Sequence, residues 1–247
     1  MRIDNLVNVK EIENAVIGVS TYIENTSACE MRWHDLPEEQ LWCELVSCIL
    51  GSRVPYETAN SCVSHLYQRG FLHSLNIAEE PDKAEKLLIN ELSKPLFSSS
   101  RNERGCRYPY PRSRSKYIVQ TAIEIYKKNG ASLKDILVSC QNEYQARESI
   151  REKSKGIGYK QASLFLRNIT YSENLAILDS HVTKYMVLMN MVEDTEIMNI
   201  STRHSYMKLE KVLLEYAISK DKPISTLDIA IWVVMRLVQR EFIIWQW

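Results

Sequence analysis

The sequence predicts an all-α protein, and three observations carry that expectation. Glycine and proline number only seven each in 247 residues, so turns are few and the elements between them are long. Apolar residues recur at helical spacing in one segment after another. No segment reads convincingly as a strand, and neither an internal repeat nor a low-complexity linker interrupts the pattern.

Each element has its own signal. Ile12, Ala15, Val16 and Val19 set a helix over Lys10 to Glu24. Asp35-Leu36-Pro37-Glu38-Glu39 reads as a helix start, a capping acid followed by proline and acids in the first turn. The helix it opens carries Leu41, Leu45, Cys48 and Ile49 on one face and ends at Gly51. Pro55 begins the next, through Ala59, Val63 and Leu66 to Gly70. A shorter one spans Ala84 to Leu92. Ser98 to Lys116 is irregular, proline-broken and basic, with Arg101, Arg104, Arg107, Arg112, Arg114 and Lys116 against the single acid Glu103. Helical spacing returns at Tyr117 to Lys128, Ser132 to Ser139, Gln145 to Lys153, Ser180 to Met191, Met207 to Ser219 and Ser225 to Trp245.

Composition narrows the function classes. The chain is long enough for one large domain or two small ones. Its 31 basic and 31 acidic residues cancel, which excludes a wholly basic nucleic-acid wrapper and leaves room for a local basic face. None of the six cysteines forms a CxxC pair and none lies beyond Cys140, so no metal, cluster or other cofactor is expected. The N-terminal MRIDNLVNVK lacks an apolar signal region. The C-terminal apolar run is interrupted by Asp228, Arg236, Arg240 and Glu241, which suits a buried helix rather than a membrane span. A cytoplasmic protein without membrane contact is the expectation.

Chemistry concentrates in KGIGYKQASLFLRN, Lys155 to Asn168. Ala162, Phe165, Leu166 and Ile169 fall on one helix face, and Gly156 and Gly158 stand just before it. A glycine turn lets backbone approach another molecule closely, and the free N–H groups of a helix start favour an anion such as phosphate. A plain helix–helix connection also fits such a turn. Lys160 sits in the first turn, where the dipole and partial burial push an amine pKa down and make a nucleophile suited to a sugar C1′. After about ten helical residues, roughly 15 Å, the extended run Leu175-Ala176-Ile177-Leu178 brings the chain back to Asp179, placed as an N-cap. Lysine and carboxylate would then share a cleft beside a phosphate-binding turn.

These residues resemble a known family. GIGYKQASLFLRN followed by LAILDSHV is similar to the helix-hairpin-helix, Gly/Pro-rich loop, aspartate (HhH-GPD) superfamily of DNA glycosylases, closest in wording to the archaeal-type 8-oxoguanine DNA glycosylase/AP lyases, the second Ogg family. LWCELVSCILGSR, Leu41 to Arg53, resembles the helix before the damage-probing loop, and LDIAIW, Leu227 to Trp232, the C-terminal helix of Ogg enzymes. The resemblance spans roughly Trp33 to Trp232 and is strong from Lys155 to His181.

It implies two helical subdomains with an active-site cleft between them, one over about 50–160 and the other formed by about 1–49 with 175–247. It also implies a monomer that acts in the nucleoid, flips a damaged nucleotide out of double-stranded DNA and uses Lys160 as Schiff-base nucleophile, with Asp179 stabilising positive charge on the sugar. Two departures stand out. The chain lacks the four C-terminal cysteines of cluster-bearing members, and it ends at Trp247 where archaeal-type relatives tend to end in lysine.

Other candidates follow. Lys155, Gly156 and Gly158 would hold a phosphate, with His181 contacting phosphate or orienting Asp179. Arg107, Arg112 and Arg114, interleaved with Tyr108 and Tyr110, would form a phosphate-touching loop. Arg53 would fill the hole left by a flipped base, and Trp232 or Trp247 would stack on that base. Each has a structural alternative: a solvated charge, a core tryptophan, a plain cap. Two further readings of the whole remain open, a helix-hairpin-helix DNA-binding module without chemistry and a glycosylase for an oxidised pyrimidine.

Overall fold

The structure is a computed structural model that describes residues 8–26, 32–99, 102–128, 130–198 and 200–244, with the side chains of 96–99, 102–106 and 239–244 outside the description. Two compact units divide the chain: Met1–Glu30 with Ser172–Trp247, here the terminal unit, and Met31–Tyr171, the central unit. Residues 31–49 thus group with the central unit rather than with the chain ends. The reason is local: Leu41, Trp42, Leu45 and Ile49 are wholly buried, and their helix packs on the helix that carries Lys160.

The chain begins in the terminal unit with α1 (Val9–Thr26), whose Ile12, Val16 and Ser20 face inward at helical spacing. The central unit follows with α2 (Glu38–Leu50), α3 (Tyr56–Gln68), α4 (Ser74–Glu79) and α5 (Pro81–Leu92). A small antiparallel hairpin, β1 (Pro95–Ser99) and β2 (Asn102–Arg107), precedes α6 (Pro111–Ala122), which runs on as a π-helical segment, Ile123–Lys128. Then come α7 (Leu133–Val138), α8 (Glu143–Lys153) and α9 (Tyr159–Asn168). Back in the terminal unit lie α10 (Ser180–Leu188), α11 (Asp194–Ile197), α12 (Arg203–Ser219) and α13 (Ile224–Ile244). There α13 packs along α1 and α10, and a hydroxyl pair, Ser20 to Thr226 at 2.9 Å, ties α1 to α13. Among the described residues no helix is long and apolar enough to cross a membrane.

The fold is all-α apart from the hairpin, and the stretch expected to be irregular is where they differ. In its described residues, Ser98 to Lys116 resolves into strand, a short connection and the start of α6, while Ser100 and Arg101 lie outside the description. Pro111 does not break a helix but starts one at its first turn, where a missing N–H costs nothing. The strand register slips between Pro95 and Phe97 and again between Phe97 and Ser99, so no clean alternation marks the hairpin. Asp35 is not the cap of α2 either; Pro37 holds that position without a side-chain bond. Glu38 instead accepts the N–H of Leu133 at 2.7 Å and of Lys134 at 3.2 Å, so it caps α7.

Candidate functional site

The glycine turn lies between α8 and α9, and the structure separates its two glycines by job. Gly156 has φ +76, a left-handed conformation that favours glycine. A Cβ there would stand 2.5 Å from Tyr117 Cδ2 and 3.3 Å from Arg114 Nη1, so packing demands glycine a second time. Gly158 is the N-cap of α9 in an extended conformation (φ −102, ψ −174), and a Cβ on it would meet nothing within 4 Å. The helix start therefore has no side-chain cap and open space beside it, the requirement for close approach by an anion. Lys155 is exposed, and its N–H donates to Thr121 Oγ1 at 2.9 Å.

The two helices of this hairpin are clamped by a buried cation. Arg147 of α8 is wholly buried, donates from Nη1 to Ser163 Oγ of α9 at 3.1 Å, and lies against the rings of Tyr144 (5.5 Å) and Tyr159 (5.8 Å). Arg151 stacks on the same Tyr159 at 4.9 Å while its Nε donates to Glu148 at 3.0 Å.

Lys160 occupies the first turn of α9 and is half-buried. Ala162, Phe165, Leu166 and Ile169 are the buried face beneath it. Across from α9, Glu44 of α2 accepts a hydrogen bond from Asn168 Nδ2 at 2.7 Å and one from Cys48 Sγ at 3.9 Å. Burial pushes both the Glu44 carboxyl and the Cys48 thiol up; for Cys48 the Glu44 charge adds to this and the Lys160 ammonium works against it. Cys48 is thus a neutral thiol next to the lysine rather than a thiolate partner for it.

The basic candidates do not form one loop. Arg107 at the end of β2 and Arg112 in α6 are exposed. Arg114 corrects the expectation of a solvent-facing phosphate contact. It is 9% exposed, donates from Nη2 to Ser52 O at 2.9 Å, and lies over the rings of Tyr110 and Tyr117. Helical phase explains it: Arg114 shares α6's inner face with Ser115, Ile118 and Val119, while Arg112 points away. Arg53 is exposed and left-handed, with φ +61, in the turn after α2.

In the terminal unit a second group assembles. Asp179 is the N-cap of α10, its Oδ1 accepting the N–H of His181 (2.8 Å) and of Val182 (2.9 Å). Oδ2 takes no part in the cap. The chain leading to it, Leu175–Leu178, is gripped through its main chain. Glu210 of α12 accepts the Ala176 N–H at 3.1 Å, and Asp228 of α13 accepts that of Ile177 at 2.9 Å. Tyr206 donates to Ala176 O at 2.9 Å and accepts the Leu178 N–H at 3.4 Å. These three residues are buried, and their part in holding this run escaped the sequence reading. The one signal for them was an aspartate inside the apolar run LDIAIW. Replacing Tyr206 with phenylalanine removes both bonds from a buried strand of backbone. The expected cost is about 1–3 kcal/mol in urea unfolding.

His181 lies edge-on to Trp232 at 6.4 Å, and Arg236 stands over the far ring at 4.9 Å. Its Nδ1 is buried without a hydrogen-bond partner among the described residues. Burial pulls its pKa down, Asp179 opposes this, and Lys184 and Arg236 assist it. The folded state therefore disfavours the proton that the unfolded chain binds, so stability is complete above the ordinary histidine value and falls as pH drops below it. In the His181→Asn variant this part of the pH-dependence, followed by urea unfolding between pH 5 and pH 7 (roughly the histidine window), is expected to flatten. Trp232 is half-buried against this histidine, and Trp247 lies outside the described residues.

The structure thus groups Lys155, Gly156, Gly158, Lys160, Arg53 and Arg114 in the central unit and Asp179, His181 and Trp232 in the terminal one. Comparison with known proteins shows the family to which the chain belongs. The family model for 8-oxoguanine DNA glycosylase, Ogg-HhH, matches residues 24–221. An 8-oxoguanine DNA glycosylase/AP lyase of Saccharolobus islandicus is 30% identical over 205 residues, covering 82% of this chain and 86% of its own. One from Fusobacterium nucleatum is 29% identical, covering 90% of this chain and 92% of its own. The crystal structure of the Methanocaldococcus jannaschii 8-oxoguanine glycosylase/lyase with a 15mer DNA containing 8-oxoguanine is similar with a TM-score of 0.64 at 25% identity, over 91% of this chain and 94% of that one. With a match over most of its length and Lys160 in the second helix of a helix–glycine turn–helix unit, the chain belongs to the 8-oxoguanine DNA glycosylase family.

Proposed function

We propose that this protein is a bifunctional DNA glycosylase/AP lyase that removes 8-oxoguanine from double-stranded DNA, acting as a monomer in the cytoplasm on nucleoid DNA. The observation that carries the reading is Lys160, in the first turn of a helix whose start is uncapped and open, in a chain of this family. The flipped nucleotide presents C1′ to the Lys160 amine. The Nζ–C1′ bond forms, the glycosidic bond breaks, and the base leaves with a proton. Asp179, whose Oδ2 is not used by the cap, bears the charge that offsets the cationic sugar. The amine nitrogen sheds its proton, the C1′–O4′ bond breaks with O4′ taking up a proton, and the opened sugar is held as an imine, after which C2′ loses a proton and the C3′–O bond breaks, nicking the strand. Gly158 and the amides after it hold a phosphate, with Lys155 adding charge. Arg53, exposed in its strained turn, fills the vacated stack.

The test is borohydride trapping on a panel of lesion duplexes. Reduction of the imine should leave a covalent protein–DNA adduct on the 8-oxoguanine duplex, mapped by peptide mass to Lys160 and absent in Lys160→Gln. Tight duplex binding with no adduct on any lesion would sink the reading and leave a binding module. An adduct only on oxidised pyrimidines would move the substrate and keep the chemistry.

A further inference from the structure

We propose that Arg114 is a positioning residue that ties the Gly156 turn to the Ser52–Arg53 turn, so that the two meet a DNA duplex as one pre-set surface. The inference rests on the DNA-binding role just proposed. Both turns are exposed where they would meet DNA: Lys155 and Arg53 point to solvent. Behind them stands a single guanidinium. Its Nη2 donates to the Ser52 carbonyl at 2.9 Å, the peptide that leads into the left-handed Arg53. Its Nη1 lies 3.3 Å from the place a Cβ on Gly156 would take, and Tyr117, which stacks under the same guanidinium at 5.4 Å, fills the rest of that place. Tyr110 covers the other flank at 5.6 Å.

The neighbours of Arg114 repeat the pattern. Tyr108 donates to Leu50 O at 2.7 Å and so holds the last turn of α2, and Thr121 accepts the Lys155 N–H at 2.9 Å. The segment from Tyr108 to Thr121 thus clamps both turns, and Arg114 reaches towards each. Lysine could supply the charge at this site but not the planar head that stacks between two tyrosines while reaching a carbonyl. A left-handed arginine in an exposed turn persists only where its surroundings over-determine it, and the Ser52 bond does that here.

The experiment measures affinity of the full chain for a duplex carrying a tetrahydrofuran abasic analogue, across a salt series, with Tm recorded for every variant. Arg114→Met and Arg114→Lys should both weaken binding about tenfold or more, because a shifted turn loses its contacts whether or not a charge remains. The salt slope should change alike in the two variants, since the charge at position 114 meets no phosphate itself and only the shared loss of turn contacts is read. Gly156→Ala, which forces its new methyl against Tyr117, should reproduce the loss, and the Arg114→Met/Gly156→Ala double variant should be no weaker than either single one.

Unchanged binding by Arg114→Met overturns the proposal. So does full rescue by lysine with a slope reduced by about one in Arg114→Met, the mark of a direct phosphate contact. If Arg114→Met fails to fold, a folded Gly156→Ala with unaltered affinity overturns it instead. Absence of duplex binding by the unsubstituted protein would sink the functional reading itself, a separate outcome.

Discussion

Asp179→Asn is expected to give a folded protein whose single-turnover excision is slower by about a hundred- to a thousandfold. The two effects separate because the cap and the charge use different properties of one side chain. Both cap bonds go to Oδ1, from the His181 and Val182 amides, and the asparagine Oδ1 accepts them equally well. What asparagine lacks is the negative charge that the proposed function sets against the cationic sugar. Loss of that charge at a helix N-terminus costs only about 0.3–1 kcal/mol of stability. Asp179→Ala should show the same rate loss and, in addition, about 1 kcal/mol from the missing cap. Stopped-time excision assays and thermal melts on the two variants together check the partition. A normal rate in Asp179→Asn would show that Asp179 is a cap and nothing more.

The largest expected loss of stability is at Arg147. Arg147→Ala empties a wholly buried position, removes the bond to Ser163 and takes one cation from the rings of Tyr144 and Tyr159. A large-to-small change in such a place costs about 3–5 kcal/mol. At about 2–4 °C per kcal/mol for a chain this size, the melting temperature should fall by roughly 6–20 °C. Arg147→Met keeps most of the volume and gives up the polar contacts, so its loss should be nearer 1–3 kcal/mol. Melts of the two variants order the terms: if alanine and methionine cost the same, the charge-assisted bonds dominate; if methionine is mild, packing does.

What was legible in the sequence was whatever repeats locally. Ala162, Phe165, Leu166 and Ile169 announce a buried helix face by spacing alone, and Asp179 announces a cap by standing before one. The α2, α3 and α13 signals were of the same kind. The basic stretch from Ser98 to Lys116 misled because proline at 111 has opposite meanings inside a helix and at its first turn, and only the chain geometry decides. Arg114 looked like its exposed neighbours because side-chain direction depends on helix phase, which needs the start of α6 to be known. Arg147, Glu210 and Tyr206 were invisible for another reason. Their partners lie 16, 34 and 30 residues away, and no local pattern encodes a bond made across that span.

The grip on Leu175–Leu178 has a consequence for how this region tolerates change. Glu210, Asp228 and Tyr206 hold amides and a carbonyl, groups that every non-proline residue supplies. The aspartate that follows is therefore placed in part by a device that does not read the side chain at Ile177. Ile177, half-exposed, should accept valine, leucine or threonine with the Asp179 backbone staying where it is, whereas proline, which deletes the amide Asp228 holds, should not be tolerated. Position 177 is thus free to drift in sequence while its backbone remains fixed in space, whereas Leu175, Ala176 and Leu178 are also held by their burial in the core.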